Sequence, residues 1–272
     1  LPTCNTFYRV PSTYGRCSYS PVWQLLSNVY RSTSCAGLRS KQDPDTVTKH
    51  ADTALLRLLQ LCSGTLPIGG FTYSQGIEWA AECGWIKNQQ DLTDWLADLI
   101  DTNLAQVEIP VLMRLYHACE QGDANQLAHW SDWLLASRES SELREEERNR
   151  GRALTSLLVD LGITHAEDWR DTLSYCQTAG FALACVAWQI PLPQAAQGFA
   201  WAWLENLALA GVKLIPLGQT AGQRILHQLG DVTNRAVQRG LALPDEDMGA
   251  SAPALAIASS RHETQYTRLF RS

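Results

Sequence analysis

From about residue 51 onward, apolar side chains recur at the spacing of helical faces. Leu55, Leu56, Leu59 and Cys62 mark one such face, and Leu92, Trp95, Leu96, Leu99 and Ile100 repeat at i, i+3, i+4, i+7 and i+8. That period cannot serve a strand, whose side chains alternate every second residue. Pro110 interrupts the next stretch. It lacks the N–H that an interior helical position needs, so it is expected in the first turn of a new helix running through Leu112, Leu115 and Tyr116 toward Gly122. Asp123 is expected to open another. Residues 139–152 are highly charged, pair Glu146 with Arg150 at i, i+4, and lead into Leu154, Leu157, Leu158 and Leu161, which reads as one long helix. Ala200, Trp203, Leu204, Leu207 and Ala208 form a wide stripe, and after Pro216 a second stripe runs through Ile225, Leu229, Val232 and Ala236. Alternating β-branched runs bounded by turns are missing. The expected fold is all-α: a single-domain helical bundle of about eight to ten helices.

Composition narrows the class. With 45% hydrophobic and 18% charged residues in 272, the chain can bury a substantial core. No apolar run reaches the roughly 18 to 20 residues of a membrane-spanning helix, so a membrane partner is not expected. A net charge of -6 argues against nucleic acid, whose phosphates call for a basic face. The eight cysteines are widely spaced, form no CxxC, and several sit in apolar helical contexts. They read as buried thiols of a reduced, cytoplasmic protein.

Residues 1–50 differ from the rest. They hold six basic against two acidic side chains, are rich in Ser, Thr, Tyr and Pro, and lack sustained helical periodicity. No compact apolar core precedes a small-residue cleavage site, so a secretory signal is not expected. A transit peptide, a disordered tail, and an extension translated from upstream of a native start near Ala51 all remain open. The domain proper is expected over 51–272.

Searches for chemistry return little. A phosphate-binding loop needs GxxxxGK[ST], and Gly218 and Gly222 have the wrong spacing with no Lys-Ser or Lys-Thr after them. They are expected instead to allow close backbone approach at a helix start. HExxH, paired CxxC and GxSxG are absent. His262 with Glu263 could supply one pair of metal ligands, fewer than a closed site requires. No catalytic residues, metal site or cofactor are therefore assigned.

Two segments stand out. Residues 66–78, LPIGGFTYSQGIE, place Pro67, Gly69, Gly70, Phe71, Tyr73 and Ser74 around a helix boundary, where the glycines would supply unusual dihedrals and Thr72 or Ser74 would cap the helix. Residues 262–272, HETQYTRLFRS, bring Tyr266, Arg268, Leu269, Phe270 and Arg271 together. Such side chains are costly to expose and are favoured as interface anchors. Docking on a partner and docking on the chain's own body are both open.

These two segments, together with residues 216–223, PLGQTAGQ, resemble the UreF family of urease accessory proteins over roughly residues 52–272 and in the expected order. The resemblance implies an all-α homodimer that binds the accessory protein UreD, also called UreH, recruits the GTPase UreG, and docks on apo-urease to deliver nickel. GTP, magnesium and nickel would then belong chiefly to UreG and urease. It further implies partner-binding roles for Tyr266, Arg268, Leu269, Phe270 and Arg271, a role for Lys213 in tuning the GTPase, and a shared surface including Phe71, Tyr73 and Ser74. For Lys213 simple solvation, and for Phe71 a core position, are the competing readings. A nucleotide enzyme built on residues 218–222 and a direct nickel carrier using His262, Glu263 and cysteines are the alternatives to a scaffold.

Overall fold

A computed structural model describes residues 44–249 and 252–272, with side chains from Thr53 onward. Helix α1 (Pro44–Leu61) leads to a short 3-10 turn (Gly70–Thr72), then α2 (Ile77–Glu82) and α3 (Gln89–Leu99). A π-helical stretch (Ile100–Glu108) runs directly into α4 (Ile109–Gln121), and α5 (Ala124–Ala136), α6 (Ser141–Asp160), α7 (Arg170–Leu173) and α8 (Gln177–Ala187) come next. The long antiparallel pair α9 (Leu192–Leu214) and α10 (Gln219–Leu241) precedes α11 (Pro253–His262). The protein is all-α, and residues 44–272 form one compact unit. The expected extension over 1–50 lies outside the described residues up to residue 43. Helix α1, however, begins at Pro44, inside the stretch assigned to that extension.

The helix starts obey local chemistry. Asn88 accepts from the amides of Gln90 and Asp91 at 2.8 and 3.0 Å, Asp123 from those of Asn125 and Gln126, and Ser140 from that of Leu143. Gly122 ends α4 in the left-handed region at φ 69°. At the centre lies α8, whose residues from Gln177 through Cys185 are all buried; it packs chiefly on α4 and α6, while α9 packs on α10. A helix buried on every side needs apolar residues all round, and TAGFALAC supplies them. The stripes read at Leu92, Leu96 and Leu99, at Trp203, Leu204 and Leu207, and at Ile225 and Leu229 all face this core.

Three expectations change. On α1 the buried face is Ala54, Leu58 and Leu61, whereas Leu55, Leu56 and Leu59 are exposed. Leucines occupy five of the seven positions from 55 to 61, so their spacing alone does not choose between the two faces. Pro110 does lie in the first turn of α4, but no loop precedes it. The wider π turn makes room for its ring, and the carbonyl of Gln106, four residues back, accepts from the Gly249 amide at 3.0 Å. Of the two glycines in the 216–223 segment only Gly222 makes a close approach, since a Cβ there would meet Val212 Cγ2 at 3.0 Å and one at Gly218 would meet nothing within 4 Å.

Among the described residues no helix is long and apolar enough to cross a membrane. The five cysteines at 62, 83, 119, 176 and 185 are free. Burial pushes the thiols of Cys62 and Cys119 up to about 12, so both remain protonated and unreactive near neutral pH.

Candidate functional site

Residues 66–78 and 263–272, far apart in the chain, meet in space. Gly69 adopts φ 70°, which turns the backbone into the 3-10 turn, and the Thr72 hydroxyl donates to the Gly69 carbonyl at 2.8 Å. Gly70 has no such unusual dihedral; Gly76 does, at φ 81°, and opens α2. A Cβ on Gly76 would stand 2.9 Å from the Ser259 amide nitrogen. This glycine therefore lets α11 press against the start of α2, which brings His262 at the end of α11 to Glu78 in the first turn of α2. Ser74 serves both elements: its hydroxyl oxygen accepts from the Glu78 amide, and its own amide donates to the Ser272 carbonyl at 2.8 Å.

Segment 263–272 lies along this platform. The Glu78 carboxylate accepts from the amides of Leu269 at 2.6 Å and Phe270 at 2.8 Å, one on each oxygen, and faces His262 Nε2 at 3.2 Å. The other ring nitrogen, Nδ1, meets Glu142 of α6 at 2.6 Å, and Glu142 also accepts from Arg268 at 2.7 Å. Arg271 donates its amide to the Thr72 carbonyl, and the Ser272 hydroxyl donates to Glu146 at 3.0 Å. His262 is fully buried and Glu78 nearly so. Taking carboxylates out of water is costly unless charge-assisted hydrogen bonds compensate, and here each has several.

The nine predicted residues divide by exposure. Tyr266 is fully exposed, Leu269 is 70% and Phe71 60% exposed, and Arg268, Arg271 and Lys213 also reach solvent. Phe270, Tyr73 and Ser74 are buried. Tyr73 and Ser74, expected on the shared surface, are instead covered by the chain itself, with Ser74 hydrogen-bonded to the Ser272 carbonyl and the Glu78 amide. Phe270 is covered by Lys213, whose ammonium stands 5.9 Å from the ring centroid, so the end of α9 and the C-terminal segment form one surface. The segment is thus seated on the chain's own body, with Tyr266, Arg268, Leu269 and Arg271 still facing solvent.

His262 and Glu263 do not act as a pair. Glu263 turns to α6, where the Ser141 hydroxyl and amide hold its carboxyl below the usual range. The carboxylates facing His262 meet opposite ring nitrogens and so do not converge on a point. Among the described residues no group of three His, Cys, Asp or Glu side chains could hold a metal ion. Sequence reading missed Glu78, Glu142 and Glu146. Glu78 closes the conspicuous 66–78 segment, but nothing in its spacing announces a partner nearly two hundred residues away.

Beside the platform lies a cavity of about 180 Å³, walled in part by Phe71, Gln75, Glu146, Arg150 and Trp203. Its deeper wall carries Arg138, whose guanidinium pairs with both Glu108 and Glu147. Asn103 reaches Glu108 across one π turn at 3.5 Å, a pairing at i, i+5 that the wider helix brings onto one side.

Fold and site together define an all-helical protein that holds a segment of itself against its own body and turns part of that segment outward. The UreF family model matches residues 86–230. A urease accessory protein UreF of Pseudomonas putida is 52% identical over 223 residues, spanning 82% of this chain and 100% of the relative. One from Alcanivorax borkumensis is 52% identical over 227 residues, with 81% and 99% covered, and one from Citrobacter koseri is 48% identical over 217, with 80% and 97% covered. The chain belongs to the UreF family of urease accessory proteins.

Proposed function

We propose that the protein is a scaffold in urease maturation, acting in the cytoplasm as a homodimer. It joins UreD and the GTPase UreG in a complex that delivers nickel into apo-urease and couples delivery to GTP hydrolysis by UreG. The observation that carries this reading is the outward face of the docked segment. Tyr266 and Leu269 stand exposed on a backbone anchored by Phe270 and Ser272, with Phe71 on the adjoining turn. Large side chains exposed on an anchored backbone are characteristic interface anchors. Lys213, Arg268 and Arg271 supply a basic rim, and Lys213 is the residue assigned to tuning the GTPase.

Purified protein is expected to co-elute with UreD and UreG. Tyr266→Ala, Leu269→Ala and Arg268→Ala are each expected to weaken that association without lowering the melting temperature. Normal assembly and urease activation by all three variants would overturn the tail assignment. Stoichiometric GTP or ATP binding by the isolated chain would favour the nucleotide enzyme, and stoichiometric nickel retention in dialysis would favour the carrier.

A further inference from the structure

We infer that Glu78 is a positioning residue, and that its largely buried carboxylate fixes the shape of the outward-facing partner surface by holding the backbone that presents it. The inference rests on the scaffold reading above.

Two consecutive amides, Leu269 and Phe270, point at the two oxygens of one carboxylate. In an extended chain successive amides point in opposite directions, so the arrangement demands a defined turn that forms a small anion-binding nest. The turn has a consequence for side chains: Leu269 leaves the body, 70% exposed, while Phe270 enters it, 6% exposed. Apolar burial of Phe270 alone would hold the segment down, but it would not dictate which way Leu269 faces.

The clamp is locked from both sides. His262 stands between Glu78 and Glu142 with a ring nitrogen toward each, and Glu142 reaches on to Arg268. Helices α2, α6 and α11 are thereby tied to the presented segment through polar groups, of which His262, Glu78 and Glu142 are largely buried. Preorganisation of this kind strengthens binding by removing the cost of ordering a loop on contact. The surface so presented exposes Tyr266, Leu269 and Phe71 together with the basic side chains of Lys213, Arg268 and Arg271. It fits a partner with an apolar cleft bordered by acidic side chains.

The test compares Glu78→Gln, which keeps the shape and removes the charge, with Tyr266→Ala in the full chain. Amide hydrogen exchange at Leu269 and Phe270, melting temperature and binding to purified UreD are measured for each. Glu78→Gln is expected to accelerate exchange at those two amides by about tenfold or more, to leave the body's melting within a few degrees, and to weaken UreD binding. Tyr266→Ala should weaken binding with exchange unchanged. Unaltered exchange in Glu78→Gln overturns the inference, as does faster exchange with undiminished UreD binding while Tyr266→Ala still binds poorly. Full UreD binding by both variants overturns the scaffold reading itself. If Glu78→Gln melts along with the body, His262→Gln is read in its place against the same outcomes.

Discussion

Arg138, on the loop between α5 and α6, donates to Glu147 at 2.7 Å while its other arm pairs with Glu108 at the end of the π-helical stretch. The guanidinium is 11% exposed and the two carboxylates are 3% and 7% exposed, so this one cation joins three elements in the interior. Removing it leaves two buried carboxylates without their counter-charge. Arg138→Met is expected to destabilise the fold by about 3–5 kcal/mol, because breaking a buried pair costs far more than forming it contributes. Urea unfolding monitored by circular dichroism measures the loss, and a change below about 1 kcal/mol would contradict the assignment.

The same pair sets a pH dependence. Burial alone would push the Glu147 carboxyl up, but Arg138 and Arg150, with the Thr178 amide, overcome it and hold Glu147 below its ordinary value of 4.5. A depressed carboxyl contributes stability that is complete above 4.5 and is lost as pH falls through the lower folded value. The stability gap between the parent protein and Glu147→Gln should therefore be constant near neutrality and close progressively below 4.5. Unfolding curves taken at several acidic pH values check this; a gap that widens in acid would reverse the sign.

Gly151 lies in α6 at the point where α7 crosses it. A Cβ there would stand 2.9 Å from the Leu173 carbonyl oxygen and 3.0 Å from the Cys176 amide nitrogen, backbone atoms that cannot rotate away. Alanine would gain about 1 kcal/mol in helix propensity, yet the overlap costs about 1–3 kcal/mol. Gly151→Ala is expected to come out net destabilising, as read by thermal melting. At Gly122, where nothing stands near but φ is 69°, the penalty would come from backbone strain alone.

The proposed homodimer needs an apolar face, and α1 offers one in Leu55, Leu56 and Leu59, across a groove from Trp201 on α9. Leu59→Glu places a charge there while sparing the buried Leu58 and Leu61. Sedimentation equilibrium is expected to show a dimer dissociation constant raised about tenfold or more, with helicity unchanged. A dimer of undiminished affinity would move the self-association surface elsewhere.

Most of the architecture was legible because amphipathic helices announce themselves: the period at Leu92–Ile100 and the pairing of Glu146 with Arg150 both appear in the structure. Legibility failed where pattern was degenerate or partners were distant. Leucines on both sides of α1 left its buried face undetermined, and the phase shift of the π turn was masked because polar Asn103 and Glu108 share its buried side with apolar residues. At the candidate site the apolar and aromatic members stood out by composition. Glu78, Glu142 and Glu146 did not, since a carboxylate that will be buried looks the same in sequence as one that faces water.

The π-helical stretch also bears on which changes of length the chain can tolerate. Each residue added to a helix rotates the remainder of it by about 100°, and the helix from Gln89 to Gln121 is continuous through Ile100–Glu108. Deleting one residue there would tighten a turn and swing Leu112 and Leu115 out of register with Leu92 and Leu96, although every side chain responsible for the core would still be present. Phase along this rod matters as much as residue identity, so a one-residue insertion or deletion between 100 and 108 should cost more than a substitution at an exposed position there such as Asp101.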